Sequence, residues 1–377
     1  MNKIFVCGDI VNYNNADGMI LSKEMSDIVE SADYSVCNFE APVAGYGQPI
    51  PKSGAIHYQC SETLNGLNKQ GFNLALLANN HIMDFGTKGL EATIETASKS
   101  GMEVIGAGVN KSQAYEPLIK EINGMKVGIV NACEAQFGVI DHFKRSESSG
   151  YAWINHPLID KNIIRLKNEC DFVLVFAHAG LENYKVPQKE WRERYKHLCD
   201  LGADAVIGSH PHIAQGYEQY NESMIFYSLG NFYFDGGRWA TNENQSYALE
   251  LILNKGRPIS FEPIFHYTFN GKVQLSSEEN KVDLEELCEL LGDRYDIEHD
   301  NMILDSFPLV RDRLLKSISP FPIGSSLKMT LKEILATLIG RRNHINKDLD
   351  AMHFMRNEAY YYVMRHGLEV KAQKAEK

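Results

Sequence analysis

The sequence predicts an α/β fold with parallel strand pairing. Two observations carry this. Short apolar runs alternate with helix-patterned stretches over residues 1–270, and strand–helix alternation marks a parallel sheet. The runs are apolar at nearly every position rather than at every second one, as strands buried on both faces are. Composition bounds the size of the core. The chain has 377 residues, 44% hydrophobic and 23% charged, with 17 Phe and 18 Tyr. That is globular usage with ample core-forming residues, so disorder is excluded as a global description. The length suits two domains, or one large core with an appendage.

The strand candidates are Ile4-Phe5-Val6, Tyr34-Ser35-Val36, Leu74 to Leu77, Val104-Ile105, Val127 to Val130, Phe172 to Phe176 and Ala205-Val206-Ile207. Between them, helical spacing of apolar residues predicts helices over 19–31, 87–100, 158–169 and 188–201. After Asn231 the pattern changes. Residues 246–254 and 259–275 read as consecutive strands joined by Lys255-Gly256-Arg257-Pro258, an antiparallel addition to the sheet. We therefore divide the chain into a domain over 1–275 and a mainly helical region over 276–377. Residues 281–312 are acidic, whereas 313–377 carry twelve Lys and Arg against six Asp and Glu. In 327–339, Leu327, Leu331, Ile334, Leu335, Leu338 and Ile339 fall at helical spacing, followed by Gly340-Arg341-Arg342. This helix is expected to dock its apolar stripe on the core. The alternative is an interfacial helix drawn to anionic lipid. The Lys-rich tail after Val370 is expected to fray.

A net charge of −11 argues against a general nucleic-acid binder. No apolar run approaches the roughly 18 residues of a membrane helix, and Met-Asn-Lys leads straight into the first strand without a leader pattern. A cytoplasmic protein, or one peripheral to the membrane, is expected. Seven scattered cysteines without a C-x-x-C pair are read as reduced thiols.

The chemistry-bearing residues fall just after the strand candidates. Asp9 follows the first run, Asn38 and Glu40 the second, Asn80 and His81 the third, His178 the run over 172–176, and His210 and His212 the run over 205–207. In open α/β sheets, ligands bind beyond the carboxyl ends of the strands, so these distant residues are expected to converge. Anionic and amide oxygens with imidazole nitrogens suit zinc, manganese or iron. The set exceeds what one ion needs, and a bridged pair of ions roughly 3.5–4 Å apart would use it all. The remaining histidines, among them His57, His142, His156, His197 and His266, are read as ordinary core or surface residues.

The strings Gly8-Asp9, Asn38-Phe39-Glu40, Asn79 to Gly86, His178 to Tyr184, Gly202 to His212 and Tyr227 to Phe232 together resemble the CapA family of bacterial capsule-synthesis, poly-γ-glutamate-related proteins, within the calcineurin-like metallophosphoesterase superfamily. The resemblance covers roughly residues 2–235. It implies a four-layer α/β/β/α sandwich (metallophosphatase-like) with the site at one edge, here followed by a C-terminal helical extension. It implies two divalent metal ions (Mn, Zn or Fe), one held by Asp9, Glu40 and His212, the other by Glu40, Asn80, His178 and His210. His81 would stay off the metals and face the substrate, oriented by Asp84. Asn38, Glu182 and Tyr184 would line the substrate pocket, and Asn231 would support the loop beneath it. The chain departs from the wider superfamily at Val11, where a histidine is usual, and at Glu40, where an aspartate is usual.

The function implied is metal-assisted hydrolysis, of phosphoester bonds first of all, in capsule or cell-envelope polymer metabolism (poly-γ-glutamate or polysaccharide). The attacking group would be a metal-bound hydroxide. The alternatives are a non-catalytic metal-binding accessory protein of polymer synthesis or export, and a γ-glutamyl amide hydrolase on the same site. The expected partners are an anionic small-molecule or polymer substrate and a peripheral membrane or capsule-machinery partner, with no nucleic acid. Lys185 and Arg238 are further candidates for reading an anionic substrate.

Overall fold

The computed structural model describes residues 1–236, 246–319, 321–322, 324, 326–340 and 346–375. Arg238, Arg341 and Arg342 lie outside them. The chain forms two compact units: Met1–Ile50 with Ile56–Tyr295, and Pro51–Ala55 with Asp296–Lys377.

The first unit is built on two large sheets. In one, Asn2–Val11, Tyr34–Phe39, Leu74–Leu76 and Glu103–Ile105 run parallel side by side. Ser246–Leu253 pairs antiparallel with the outer side of Asn2–Val11, and Ser260–Phe269 and Lys272–Leu275 extend it as a meander. The antiparallel addition expected from the sequence is therefore present. Its second half is two strands rather than one, broken by Asn270 and Gly271 at positive φ. Asn231–Phe234 joins the far end of Asn2–Val11 in parallel. In the second sheet, Met125–Cys133, Phe172–His178, Ala205–Ser209 and Ser223–Phe226 are parallel, with Leu118–Ile122 and Tyr217–Tyr220 antiparallel at the edges.

Every residue of Tyr34–Phe39, Phe172–His178 and Ala205–Ser209 is buried, as sheets covered on both faces require. The helices Lys23–Ser31, Thr63–Lys69 and Gly86–Ser100 share one apolar cluster with Phe5, Cys37 and Ala75 of the first sheet. The helix Pro157–Glu169 lies so close to the second sheet that a Cβ on Gly128 would meet Leu166 at 3.0 Å. Lys189–Asp200 packs there too, stacking Tyr195 on Tyr227 with ring centroids 5.8 Å apart. Between the sheets, the rings of Phe226 and Phe261 meet at 4.8 Å. The layer order is thus α/β/β/α. Helix ends follow local chemistry: Ser22 accepts from the Met25 N–H, and Gly101 closes Gly86–Ser100 at φ 80°.

The second unit is helical, with Asp296–Ile318 of the helix Tyr295–Ile318, then Leu327–Leu338, Lys347–Arg356 and Glu358–Ala375. Gly367 lets two of these helices meet, since a Cβ there would stand 2.0 Å from the Phe307 ring. Two expectations are corrected. In the helix Leu327–Leu338, Met329, Glu333 and Ala336 are half-buried while Leu327, Leu331, Ile334, Leu335 and Leu338 are exposed, so the apolar stripe does not dock on a core. The tail after Val370 is helical to Ala375 rather than frayed. Among the described residues no helix is long and apolar enough to cross a membrane. All seven cysteines are free thiols.

Candidate metal centre

The parallel strands of both sheets end at the same rim. Asp9, Asn38 and Glu40 come from neighbouring strand ends of the first sheet, and Asn80 and His81 from the turn after Leu74–Leu76. His178, His210 and His212 come from neighbouring strand ends of the second. Asn38 joins the two groups: its Nδ2 donates to Asp9 Oδ1 and lies 3.0 Å from His178 Nδ1. The register of Asn2–Val11 against Tyr34–Phe39 shifts between Cys7 and Asp9. Gly8 sits in this bulge, and bulges of this kind re-aim side chains.

Five of the expected residues form two interlocking groups, and Asn80 stands beside the second. Asp9, Glu40 and His212 place donor atoms within 4.8 Å of one another, and so do Glu40, His178 and His210. Glu40 is common to both. In the second group, His178 Nε2 lies 3.1 Å from Asn80 Oδ1, 3.1 Å from His210 Nδ1 and 3.5 Å from Glu40 Oε1. A ring nitrogen has one proton or one lone pair, so it cannot satisfy three such neighbours by hydrogen bonding. Donors held about 2.1 Å from a common ion stand about 3.0–3.4 Å apart, and the observed spacing is of that kind. In the first group, His212 Nδ1 is 3.5 Å from Asp9 Oδ2, 3.9 Å from Glu40 Oε2 and 3.0 Å from Asn231 Oδ1.

The electrostatics suit a cation. Burial pushes His178 down to about 4. Burial, reinforced by His178, pushes His210 down to about 3. Both rings are neutral at pH 7, the state in which imidazole ligates. Burial also pulls on His212, but the carboxylates of Glu40 and Asp9 outweigh it and hold the ring up at about 10. Asp9 is held below the ordinary carboxylate range: burial opposes ionisation, and His212 and His178 overcome it. The carboxylate pair therefore favours positive charge between them, and a divalent cation would compete with the proton on His212 for that place.

Backbone strain marks the same rim. His210 has φ 98° and His212 φ 63°, a region that side-chain-bearing residues rarely adopt. Pro211 lies between them. The amide of His210 donates to Asp9 Oδ2 at 3.3 Å, which ties the strained turn to the first sheet.

His81 is in neither group. Its Nδ1 lies 2.7 Å from Asp84 Oδ2, which fixes the tautomer and puts acid–base chemistry at Nε2. Glu182 is half-buried, and its charge raises His210 and His212. Tyr184 offers its backbone carbonyl, which accepts from Gln215 Nε2 at 2.7 Å. Lys185 is exposed and pairs with Glu286 at 3.5 Å.

Three residues at the site were not singled out in the sequence. Gln136 Nε2 lies 3.3 Å from His210 Nε2 and donates to Glu134 Oε1 at 2.7 Å, while Glu134 Oε1 stands 3.7 Å from the same imidazole nitrogen. They hold the far side of the His210 ring. Glu134 follows the run Val127 to Val130 by four places, the same signal that marked the other ligands. The third is His57, read as an ordinary histidine. Its ring lies 4.1 Å from that of His81, and its amide donates to Asp84 Oδ2 at 2.7 Å. It sits in a loop with no periodic pattern, so only the fold reveals it.

Several known proteins are similar to this chain. The capsule biosynthesis protein CapA of Bacillus anthracis is 31% identical over 261 residues, which is 67% of this chain. The chain spans 62% of that relative's length. The PGA biosynthesis protein CapA of Bacillus subtilis (strain 168) is 28% identical over 284 residues, 74% of this chain and 73% of the relative. Among solved structures, the calcineurin-like phosphoesterase YfkN from Bacillus subtilis aligns with a TM-score of 0.39 at 14% identity, over 80% of this chain and 98% of that one. A putative 5'-nucleotidase from Staphylococcus aureus aligns with a TM-score of 0.43 at 14% identity, over 77% and 58%. The family model described as bacterial capsule synthesis protein PGA_cap matches residues 3–236, well over half of the sequence, and the chain belongs to that family.

Proposed function

We propose that the chain is a metal-dependent hydrolase of phosphoester bonds, acting in the metabolism of a capsule or cell-envelope polymer. The observation that supports it is the pair of donor groups sharing Glu40, with the His81–Asp84 couple beside them. Asp9, Glu40 and His212 would hold one divalent ion, and Glu40, Asn80, His178 and His210 the other. Such a pair supplies a nucleophilic water at neutral pH and offsets the charge on a phosphoryl group. His81 presents Nε2 to protonate the leaving oxygen, and Asp84 holds the ring in the tautomer that permits it. His57 packs on His81 and limits its rotation. Tyr13, bonded to His57 Nδ1, packs on Tyr58, which lines an open cleft of about 580 Å³ with Tyr46, Cys60 and Ser61.

The test is elemental analysis of the purified protein, followed by screens of phosphodiester, phosphomonoester and γ-glutamyl amide substrates with Mn, Zn and Fe. The expected outcome is two ions per chain and turnover of a phosphoester. His81→Ala should keep both ions and lose about 10²–10⁴-fold in kcat. Two bound ions with no turnover of any class would favour the accessory reading, and turnover of the amide alone the γ-glutamyl one. A His81→Ala variant at full rate would remove the role given to that ring.

A further inference from the structure

We infer that the side-chain amide of Asn231 is a direct ligand of the cation held by Asp9, Glu40 and His212. The inference rests on the dinuclear reading above and deepens it. Carboxylates and imidazoles give that position three donors; a catalytic zinc fills its fourth place with water, whereas manganese or iron takes about six ligands and has room for a further protein donor.

The geometry supplies one. Asn231 is buried, and its Oδ1 lies 3.0 Å from His212 Nδ1. That nitrogen is the one turned toward the carboxylates, at 3.5 Å from Asp9 Oδ2. If it gives its lone pair to a cation it has no proton to donate to Asn231. An amide oxygen and a bare nitrogen 3.0 Å apart would then repel, whereas around one ion the same spacing belongs to adjacent ligands. The other position shows the same pairing, with Asn80 Oδ1 3.1 Å from His178 Nε2. Each position thus sets one amide oxygen beside one imidazole nitrogen.

The backbone holds Asn231 there. It pairs in register with Asp9, and the Asp9 amide donates to the Gly230 carbonyl at 3.2 Å. A Cβ on Gly8 would stand 1.9 Å from that oxygen, and Gly230 has φ 77°. Two glycines therefore press the Asn231 strand onto the Asp9 strand, which puts both donors side by side. The Asn231 Nδ2 has no hydrogen-bond partner among the described residues, so its oxygen end is what anchors the side chain.

The test uses the full chain and Mn²⁺ titration by calorimetry, with Co²⁺ absorption as the second readout. Wild type should bind two Mn²⁺. Asn231→Ala should keep one site unchanged, which reports an intact fold, and weaken the other at least tenfold. Asn231→Cys loaded with Co²⁺ should gain a thiolate-to-cobalt charge-transfer band over wild type, whose seven cysteines are common to both proteins. Unchanged binding by Asn231→Ala overturns the inference. So does weakened binding with no new band, which would leave Asn231 only orienting His212. If wild type binds fewer than two ions, the dinuclear reading fails first, and that outcome is distinguishable because it needs no variant.

Discussion

His266 shows how a single buried ring shapes the pH response. It faces Phe232 at 4.7 Å, and burial pushes its imidazole from the ordinary 6.5 down to about 3. Between those pH values the unfolded chain binds a proton that the folded chain does not. Stability therefore rises with pH across that window and is lost as pH falls from about 6.5 toward 3. Replacing His266 by Leu should flatten the acid limb by up to one proton, about 1.4 kcal/mol per pH unit between pH 4 and 6, measured by urea unfolding at several pH values. An unchanged slope would show the ring is not buried neutral. At this scale the site was largely legible in the sequence, because Asp9, Glu40, Asn80, His178, His210 and His212 each follow an apolar run. Glu134 obeys the same rule, four places after the run Val127 to Val130. His57 could not be read, since its place depends on a loop closing over His81 rather than on any local pattern.

Among the elements, the strand Asn2–Val11 matters most to the site. It runs three or more residues beyond the apolar run that announced it, because its far end is completed by Asn231–Phe234. The sequence Asn-Phe-Tyr-Phe is too short to declare itself as a strand, so from sequence Asn231 is expected only as loop support. The bulge at Gly8 is the joint. We expect Gly8→Ala to destabilise the protein by about 2–4 kcal/mol, because its Cβ would meet a backbone carbonyl at 1.9 Å rather than a flexible side chain. Denaturant unfolding checks this, and a change below about 0.5 kcal/mol would mean that the two strands separate without cost. The helix over 327–338 forms as its spacing predicts, but its apolar stripe is exposed rather than docked. Periodicity gives the width of an apolar stripe but not the direction in which it faces.

For the whole molecule, two buried carboxylates and three imidazoles at one rim would, on the proposed reading, make folding and metal binding a single equilibrium. A ligand that binds only the folded chain stabilises it by about 2.7 kcal/mol at a hundred times its Kd. Chelation should lower Tm by several degrees, and Mn²⁺ or Zn²⁺ in excess should restore it. A Tm indifferent to both would show that the rim does not couple metal to folding. The two-sheet core was legible because each strand is continuously apolar. The small sheet of Ala107–Gly108, Gly150–Ala152 and Val139–Ile140 was not, since two or three residues carry no period. The order of the donors along the chain adds a matter of timing. They run from Asp9 to Asn231, and the Asp9–Asn231 pairing closes the longest of these gaps. A chain leaving the ribosome would therefore hold Asp9 and Glu40 early, as two acids without their imidazole neighbours, and could complete both cation positions only after about two hundred further residues had been made. Ion capture would then come late in synthesis, once both sheets have met.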